Sequence, residues 1–220
     1  DGGFTLGKLT VGPLSDAEYQ DFLVYQYLVV ARKSAGDALE RARRALSENH
    51  FEQAYSIAST TPNMDEAERK FIMGQALGRL GQLEEAETLL REAHASAPAR
   101  TDILGQLGVL LVARDRCGDA LPYLEQAVTA DPTGYRASGA LGLALLADGK
   151  LEPAFARMKA SLDIHFDNPT LMQHFIAVGE SLERWEETEP ILRRFVEFYP
   201  GNAPMVVAFA RILAHLGKTR

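Results

Sequence analysis

Apolar residues recur at helical spacing through most of the chain. Leu107 and Leu111 stand four residues apart, as do Leu141 and Leu145, and that spacing places each pair on one face of an α-helix. The pattern predicts a series of amphipathic helices that pack against one another.

Small residues and prolines recur with a period of 34 residues. In the unit 67–100, Gly74 stands eighth, Gly81 fifteenth and Pro98 thirty-second. Such a repeat predicts helix pairs that approach closely at small side chains and end at proline, which cannot continue a helix. The fourth unit keeps Pro200 but lacks the small residues. Ala86 stands twentieth and Ala93 twenty-seventh in the first unit. The matching places in units two to four hold Gly108, Asp115, Ala120, Ala127 and Pro132; Gly142, Gly149, Ala154, Ser161 and Phe166; and Ile176, Thr188, Phe195 and Pro200.

These positions resemble the tetratricopeptide repeat. The resemblance implies an all-α fold, a right-handed α-solenoid of helical hairpins, in which each hairpin buries its second face against its neighbours. The expected divisions are an extended lead-in (1–14), an N-terminal helix packing as a cap (15–33), a degenerate repeat (34–66), three repeats (67–100, 101–134 and 135–168), a repeat-like unit (169–202) and the first helix of an incomplete repeat (203–220).

The N-terminal helix has two interpretations. Ser15 and Glu18 have capping-box spacing, which predicts a helix from there to about Arg32, followed by a helix pair over 37–47 and 51–59. The first helix is apolar on more than one face, so we expect it to cap the first hairpin. The alternative is an association surface that dimerises or binds a partner. Its residues would be Phe22, Tyr25 and Val29.

Composition and charge restrict the partners. The net charge of −7 argues against nucleic acid or an anionic membrane, because both require basic surface. No apolar run reaches the roughly 18–20 residues that span a bilayer, so we expect no direct membrane insertion. Cys117 is the only cysteine, which fits the cytoplasm slightly better than the periplasm. Partners are expected to be proteins or peptides, and a homo-oligomer could form through the N-terminal helix or the C-terminal end.

The sequence contains no pattern typical of a catalytic or metal site. The five histidines show no ligand spacing with one another or with Cys117. Gly217, Lys218 and Thr219 resemble the end of a phosphate-binding loop, but Ile212 stands where that motif needs glycine. We therefore expect no enzyme activity and no cofactor.

The family resemblance implies a concave groove lined by the first helix of each hairpin. Its middle is small and aliphatic, which would suit an extended apolar segment, with two arginines on the rim. The lysines and asparagines with which this family clamps a C-terminal carboxylate are absent. Alternatively, these side chains only pack adjacent first helices together. The predicted peptide-binding residues are Phe71, Gln75, Arg79, Gly105, Val109, Val112, Arg136, Gly139, Leu143, Leu146, Gln173 and Ala177.

These observations favour a protein-interaction module, a scaffold, chaperone or assembly factor of bacterial type. Two alternatives belong to other classes: a non-catalytic arm of a larger enzyme such as a transferase, since the last hairpin is incomplete, and a self-associating structural scaffold that uses the N-terminal helix. The groove could also be filled by the chain's own residues 1–14.

Overall fold

The computed structural model describes residues 4–6, 9–11 and 15–218 of the chain. Within these residues a short β-hairpin precedes eleven helices, and after α1 the helices alternate with short turns. The elements are β1 (Phe4–Leu6), β2 (Leu9–Val11), α1 (Asp16–Ser47), α2 (Phe51–Thr60), α3 (Glu66–Arg79), α4 (Leu83–Ser96), α5 (Thr101–Ala113), α6 (Cys117–Ala130), α7 (Tyr135–Ala147), α8 (Leu151–Ile164), α9 (Pro169–Ser181), α10 (Trp185–Phe198) and α11 (Ala203–His215).

The β-hairpin was not predicted. Its two strands pair antiparallel, with Phe4 opposite Val11 and Leu6 opposite Leu9. The sequence predicts an extended lead-in over 1–14, either free or docked on the solenoid. In the described part of that lead-in, the two strands hydrogen bond with each other.

The first helix also differs from the prediction. The sequence predicts a cap helix over 15–33 and a separate helix from residue 37, whereas α1 runs unbroken from residue 16 to residue 47. The prediction is wrong because nothing between the two segments breaks a helix. The hydroxyl of Ser34 donates to the carbonyl of Ala31 at 2.9 Å, a bond that a helix accommodates, and Gly36 is carried within the helix.

The N-terminal part of α1 does not cap the first hairpin. The apolar side chains described within residues 23–30 are exposed, Tyr25 by 63% and Tyr27 by 70%. Burial begins at Ala35 and continues through Ala42, where α1 packs against α2 and α3. Residues 16–34 are therefore an uncovered extension of the solenoid, which we name the α1 arm.

Small residues set the distance between the two helices of each hairpin. A Cβ added at Gly74 would lie 2.8 Å from the side chain of Leu90 and 3.3 Å from the carbonyl of Ala86. Gly142 meets Met158 and the carbonyl of Ala154 in the same way. These separations are below van der Waals contact, so any larger side chain would force the helices apart.

In the fourth hairpin the close contact has moved along the helix. Ile176 occupies the expected small position, and Gly179, three residues later, approaches Thr188 on α10 instead. Thr188 is fully buried, and its hydroxyl donates to the carbonyl of Arg184 at 2.8 Å. The fourth unit therefore forms the same hairpin with a shifted crossing point, which the 34-residue pattern alone does not reveal.

Buried carboxylates join successive hairpins. Glu68 on α3 accepts hydrogen bonds from Arg43 on α1 at 2.9 Å and from Arg100 in the α4–α5 turn at 2.5 Å. Glu87 on α4, only 2% exposed, contacts Arg114 and Arg116 in the α5–α6 turn. Each acid thus links elements about 30 residues apart and fixes the stacking of neighbouring hairpins.

Candidate peptide-binding groove

A cavity lies along the first helices of the described hairpins. It has a volume of about 510 Å³ and extends from the end of α3, across α5 and α7, to the start of α9. Val109 on α5 and Leu143 on α7 provide partly exposed aliphatic surface inside it. We call this space the groove cavity. It has the volume of a small-molecule or peptide side-chain site, about 300–1,000 Å³.

A second cavity adjoins the groove cavity on the other side of α5. It measures about 310 Å³ and shares Gln106, Val109, Tyr135 and Arg136 with its neighbour. Gly105 forms part of its wall. The two cavities together give a continuous depression over α5 and α7, long enough to run across two repeats.

Two arginine side chains form part of the wall of the groove cavity. Arg79 and Arg136 line it, are exposed, and form no ion pair within the described residues. Each guanidinium group lies over an aromatic ring. The guanidinium carbon of Arg79 is 5.4 Å from the ring centroid of Phe51, and that of Arg136 is 5.9 Å from the ring centroid of Tyr135. Such cation–π contacts hold a guanidinium group in place while its N–H donors stay available.

Tyr135, His165 and Asp167 complete the wall near α7 and α9. The rings of Tyr135 and His165 lie 4.8 Å apart, and the phenol of Tyr135 accepts a hydrogen bond from Arg136 Nε at 3.3 Å. A hydrogen bond with Asp167 raises the pKa of the Tyr199 phenol. This wall therefore offers a cation, a phenol, an imidazole and a carboxylate.

No three His, Cys, Asp or Glu side chains among the described residues are grouped as metal ligands. The pKa of the Cys117 thiol is raised, mainly by burial and to a smaller extent by the neighbouring charge of Asp115. The fraction of thiolate at neutral pH is therefore low. No described helix has both the length and the apolar character needed to cross a membrane.

Comparison with known proteins identifies the fold. No protein-family model and no curated protein sequence matches this chain. Among solved structures, PilF of Pseudomonas aeruginosa superposes with a TM-score of 0.70 at 18% identity, covering 86% of each chain. YrrB, a TPR protein with an unusual peptide-binding site, gives 0.59 at 19% identity, over 84% of this chain and 96% of its own. TTC0263, a TPR protein of Thermus thermophilus, gives 0.60 at 18%, over 82% and 100%.

The chain has the tetratricopeptide-repeat fold. The predicted all-α solenoid of helical hairpins is thereby confirmed. The first helices of its TPR hairpins begin at Glu66, Thr101, Tyr135, Pro169 and Ala203.

The TPR geometry brings together about half of the predicted groove residues. Six line the groove cavity, Gly105 lines the adjoining one, and two line a small cavity of about 170 Å³ between α9 and α11. The six are Arg79, Val109, Val112, Arg136, Gly139 and Leu143, and the two are Gln173 and Ala177.

Three predicted residues line none of these three cavities. Phe71 is buried beneath Arg100, whose guanidinium carbon is 4.8 Å from the ring centroid. Gln75 and Leu146 are partly buried and do not line the cavity. Arg100 covers Phe71 because Glu68 and Asp102 hold that arginine by ion pairs, a constraint that repeat position alone does not indicate.

The glycines of the groove serve packing as well as space. Gly139 is buried, and a Cβ there would lie 2.9 Å from both Leu171 Cδ2 and Ser161 Oγ. Gly105 is less confined, since the nearest atom to its added Cβ, on Ala127, is 3.4 Å away. At Gly139, the alternative interpretation of packing between hairpins therefore describes the structure better than direct approach by a ligand backbone.

Sequence reasoning missed Tyr135, His165 and Asp167. They stand at the first position of one repeat and in the turn before the next, outside the positions that the family resemblance assigns to the groove. The signal available in the sequence was the cluster of aromatic and charged residues around each turn between repeats, at 134–136 and 165–168.

Proposed function

We propose that this TPR chain is a protein–protein interaction module, and that its groove cavity binds a polypeptide segment carrying aliphatic and acidic side chains. One observation carries the proposal: aliphatic surface at Val109 and Leu143 lines the same cavity as Arg79 and Arg136, two arginines that have no acidic partner within the described chain. The role of a scaffold, chaperone or assembly factor would follow from holding a client segment in this way.

The aliphatic floor supports an apolar anchor in the ligand. Val109, Val112 and Leu143 are half-buried, so each keeps apolar surface that a bound side chain would remove from water. Such burial stabilises a complex by about 25 cal/mol per Å². YrrB, which shares the fold, has a peptide-binding site, and this supports a peptide as the ligand here.

The arginines support acidic groups beside that anchor. Arg100, Arg114 and Arg116 are each neutralised by buried carboxylates, whereas Arg79 and Arg136 face the cavity without such a partner. In a chain of net charge −7, these two unpaired cations would favour acidic segments over basic ones and speed their association.

Two labelled model decapeptides test the proposal by fluorescence anisotropy. Both carry the same central leucines and valines; one has aspartates on both sides and the other has lysines. We expect the aspartate peptide to bind more tightly, and Arg136→Glu to weaken it about tenfold, which corresponds to ~1.4 kcal/mol. We expect Val109→Glu/Leu143→Glu to abolish binding of both.

The control is Val207→Glu, which introduces the same charge at a side chain that is 64% exposed on α11 and outside the groove cavity. Circular dichroism verifies that each variant is folded. If the lysine peptide binds as well as the aspartate peptide, the acidic specificity is wrong. If the folded groove variants bind as the control does, the groove is not the site.

A further inference from the structure

We propose that the α1 arm pairs with the α1 arm of a second copy of this chain, in antiparallel orientation. The arm is the most apolar uncovered surface of the described chain. Its exposed large apolar residues are Leu23, Val24, Tyr25, Tyr27, Leu28, Val29 and Val30, each 42–70% exposed. A cluster of this kind on a protein surface marks an interaction site.

A partner would stabilise the helix of the arm. Its middle contains three valines and two tyrosines, which have weaker helix propensity than alanine or leucine. Helices in proteins take most of their stability from packing rather than from propensity. Because α2 and α3 support only the part of α1 after residue 35, a partner on the arm would add packing that the described chain does not supply there.

The distribution of charge favours a second copy as the partner. No charged residue lies between Asp21 and Arg32; the charged residues of the arm before this stretch are acidic and those after it are basic. Asp21 and Lys33 are both exposed. Two arms related by a two-fold axis at residue 27 place Asp21 of each arm opposite Lys33 of the other, so the surface is complementary to itself.

The same register aligns the apolar seam. Asp21, Tyr25 and Val29 follow one another at four-residue intervals and share a helix face. With the two-fold axis at residue 27, Tyr25 of each arm lies opposite Val29 of the other arm, which gives two such contacts. Phe22 falls at the edge of this face by sequence, although its side chain lies outside the described residues. A parallel pair would instead bring Asp21 against Asp21 and lose this complementarity.

A lipid surface suits the arm less well. Helices that lie on anionic membranes carry lysine and arginine along their polar face, whereas the first part of this arm carries Asp16, Glu18 and Asp21. The net charge of −7 adds repulsion. Binding to anionic vesicles is therefore an outcome that opposes the proposal.

Light scattering of the 220-residue chain across a wide range of concentrations tests the pairing. We expect the mass to rise with concentration from 24.1 kDa to twice that value, and Tyr25→Glu/Val29→Glu to remain monomeric. Val207→Glu, which adds one glutamate at a side chain as exposed as Tyr25, should associate as the unaltered chain does. A chain that stays monomeric throughout, or one whose association survives Tyr25→Glu/Val29→Glu, would overturn the proposal.

Charge reversal tests the orientation. Asp21→Lys alone and Lys33→Glu alone each place two like-charged pairs across an antiparallel interface and should weaken association roughly tenfold. The double variant restores opposite charges and should recover the affinity. In a parallel pair the single changes would leave like charges facing each other as before, so unchanged affinity in the single variants contradicts the antiparallel arrangement. Sedimentation with phosphatidylglycerol vesicles by a chain that does not self-associate would show that lipid covers the arm instead.

Discussion

Gly142 lies where α7 crosses α8. A Cβ at this position would be 2.6 Å from Met158 Cγ, 3.0 Å from the backbone nitrogen of Met158 and 3.2 Å from the carbonyl oxygen of Ala154. Two of these atoms belong to the backbone and cannot move aside without displacing the helix. The short distance between α7 and α8 therefore requires glycine at this position of the repeat, whereas hydrophobicity alone would also allow alanine.

Gly142→Ala should therefore destabilise the fold by about 1–3 kcal/mol, although alanine has the higher helix propensity. Gly36→Ala is the matched control, because among the described residues nothing lies within 4 Å of a Cβ added there, inside α1. At Gly36 the higher helix propensity of alanine meets no steric conflict, so we expect Gly36→Ala to raise the free energy of unfolding by about 0.5–1 kcal/mol. Urea denaturation measures both. A stabilising Gly142→Ala would show that α7 and α8 can separate freely.

At the scale of the elements, the turn inside each hairpin always contains one residue with a left-handed backbone. The fifteenth position of the successive repeats has φ values of +83° at Gly81, +59° at Asp115, +75° at Gly149, +56° at Glu183 and +65° at Gly217. Glycine adopts this conformation without penalty, whereas a side chain costs about 1 kcal/mol or more. The backbone geometry is thus constant although the residue varies.

Glu183→Gly should raise the free energy of unfolding by about 0.5–1 kcal/mol, because it relieves the strain of a side chain at positive φ. The reciprocal change, Gly149→Ala, should lower it by about 1 kcal/mol. Thermal and urea denaturation of both variants, with circular dichroism, provide the comparison. A loss of stability in Glu183→Gly would mean that the glutamate side chain contributes more than its backbone conformation costs.

For the whole molecule, buried acids connect the hairpins into one solenoid. Burial by itself would raise the pKa of Glu87, but Arg91, Arg116 and Arg114 together outweigh it, and the pKa of this carboxyl is lowered. The folded state therefore holds Glu87 ionised more strongly than the unfolded chain, whose glutamates titrate near pH ~4.3. The stability from this group is complete above that pH and is lost as the pH falls through the lower, folded-state value.

The melting temperature should therefore fall steeply as the pH decreases below about 4.3. Glu87→Gln should flatten this dependence and, at neutral pH, lower the stability by about 1–3 kcal/mol, because three arginines lose their buried partner. Glu84→Gln is the control: Glu84 also pairs with Arg114, but its side chain is 79% exposed, so we expect an effect within about 0.5 kcal/mol. Equal effects of the two changes would contradict a special role for the buried acid.

The sequence alone determined the class of fold and the places where helices meet. Positions such as Gly74, Gly108 and Gly142 could be recognised because a close helix crossing leaves no room for a side chain, so that requirement is recorded in the residue itself. Helix ends near Pro98 and Pro132 could be predicted because proline cannot continue a helix. Both requirements arise from steric contacts set by the residue itself, so the sequence is enough to predict them.

Tertiary structure decided the rest. Three features depend on which residues distant in sequence come into contact. Arg100 covers Phe71, the fourth helix crossing lies at Gly179, and α1 continues through Gly36. The absence of an acidic partner for Arg79 and Arg136 within the described chain is of this kind as well, because it depends on where the carboxylates of other elements lie. Pairing and burial are properties of the packed molecule, and a one-dimensional pattern does not contain them.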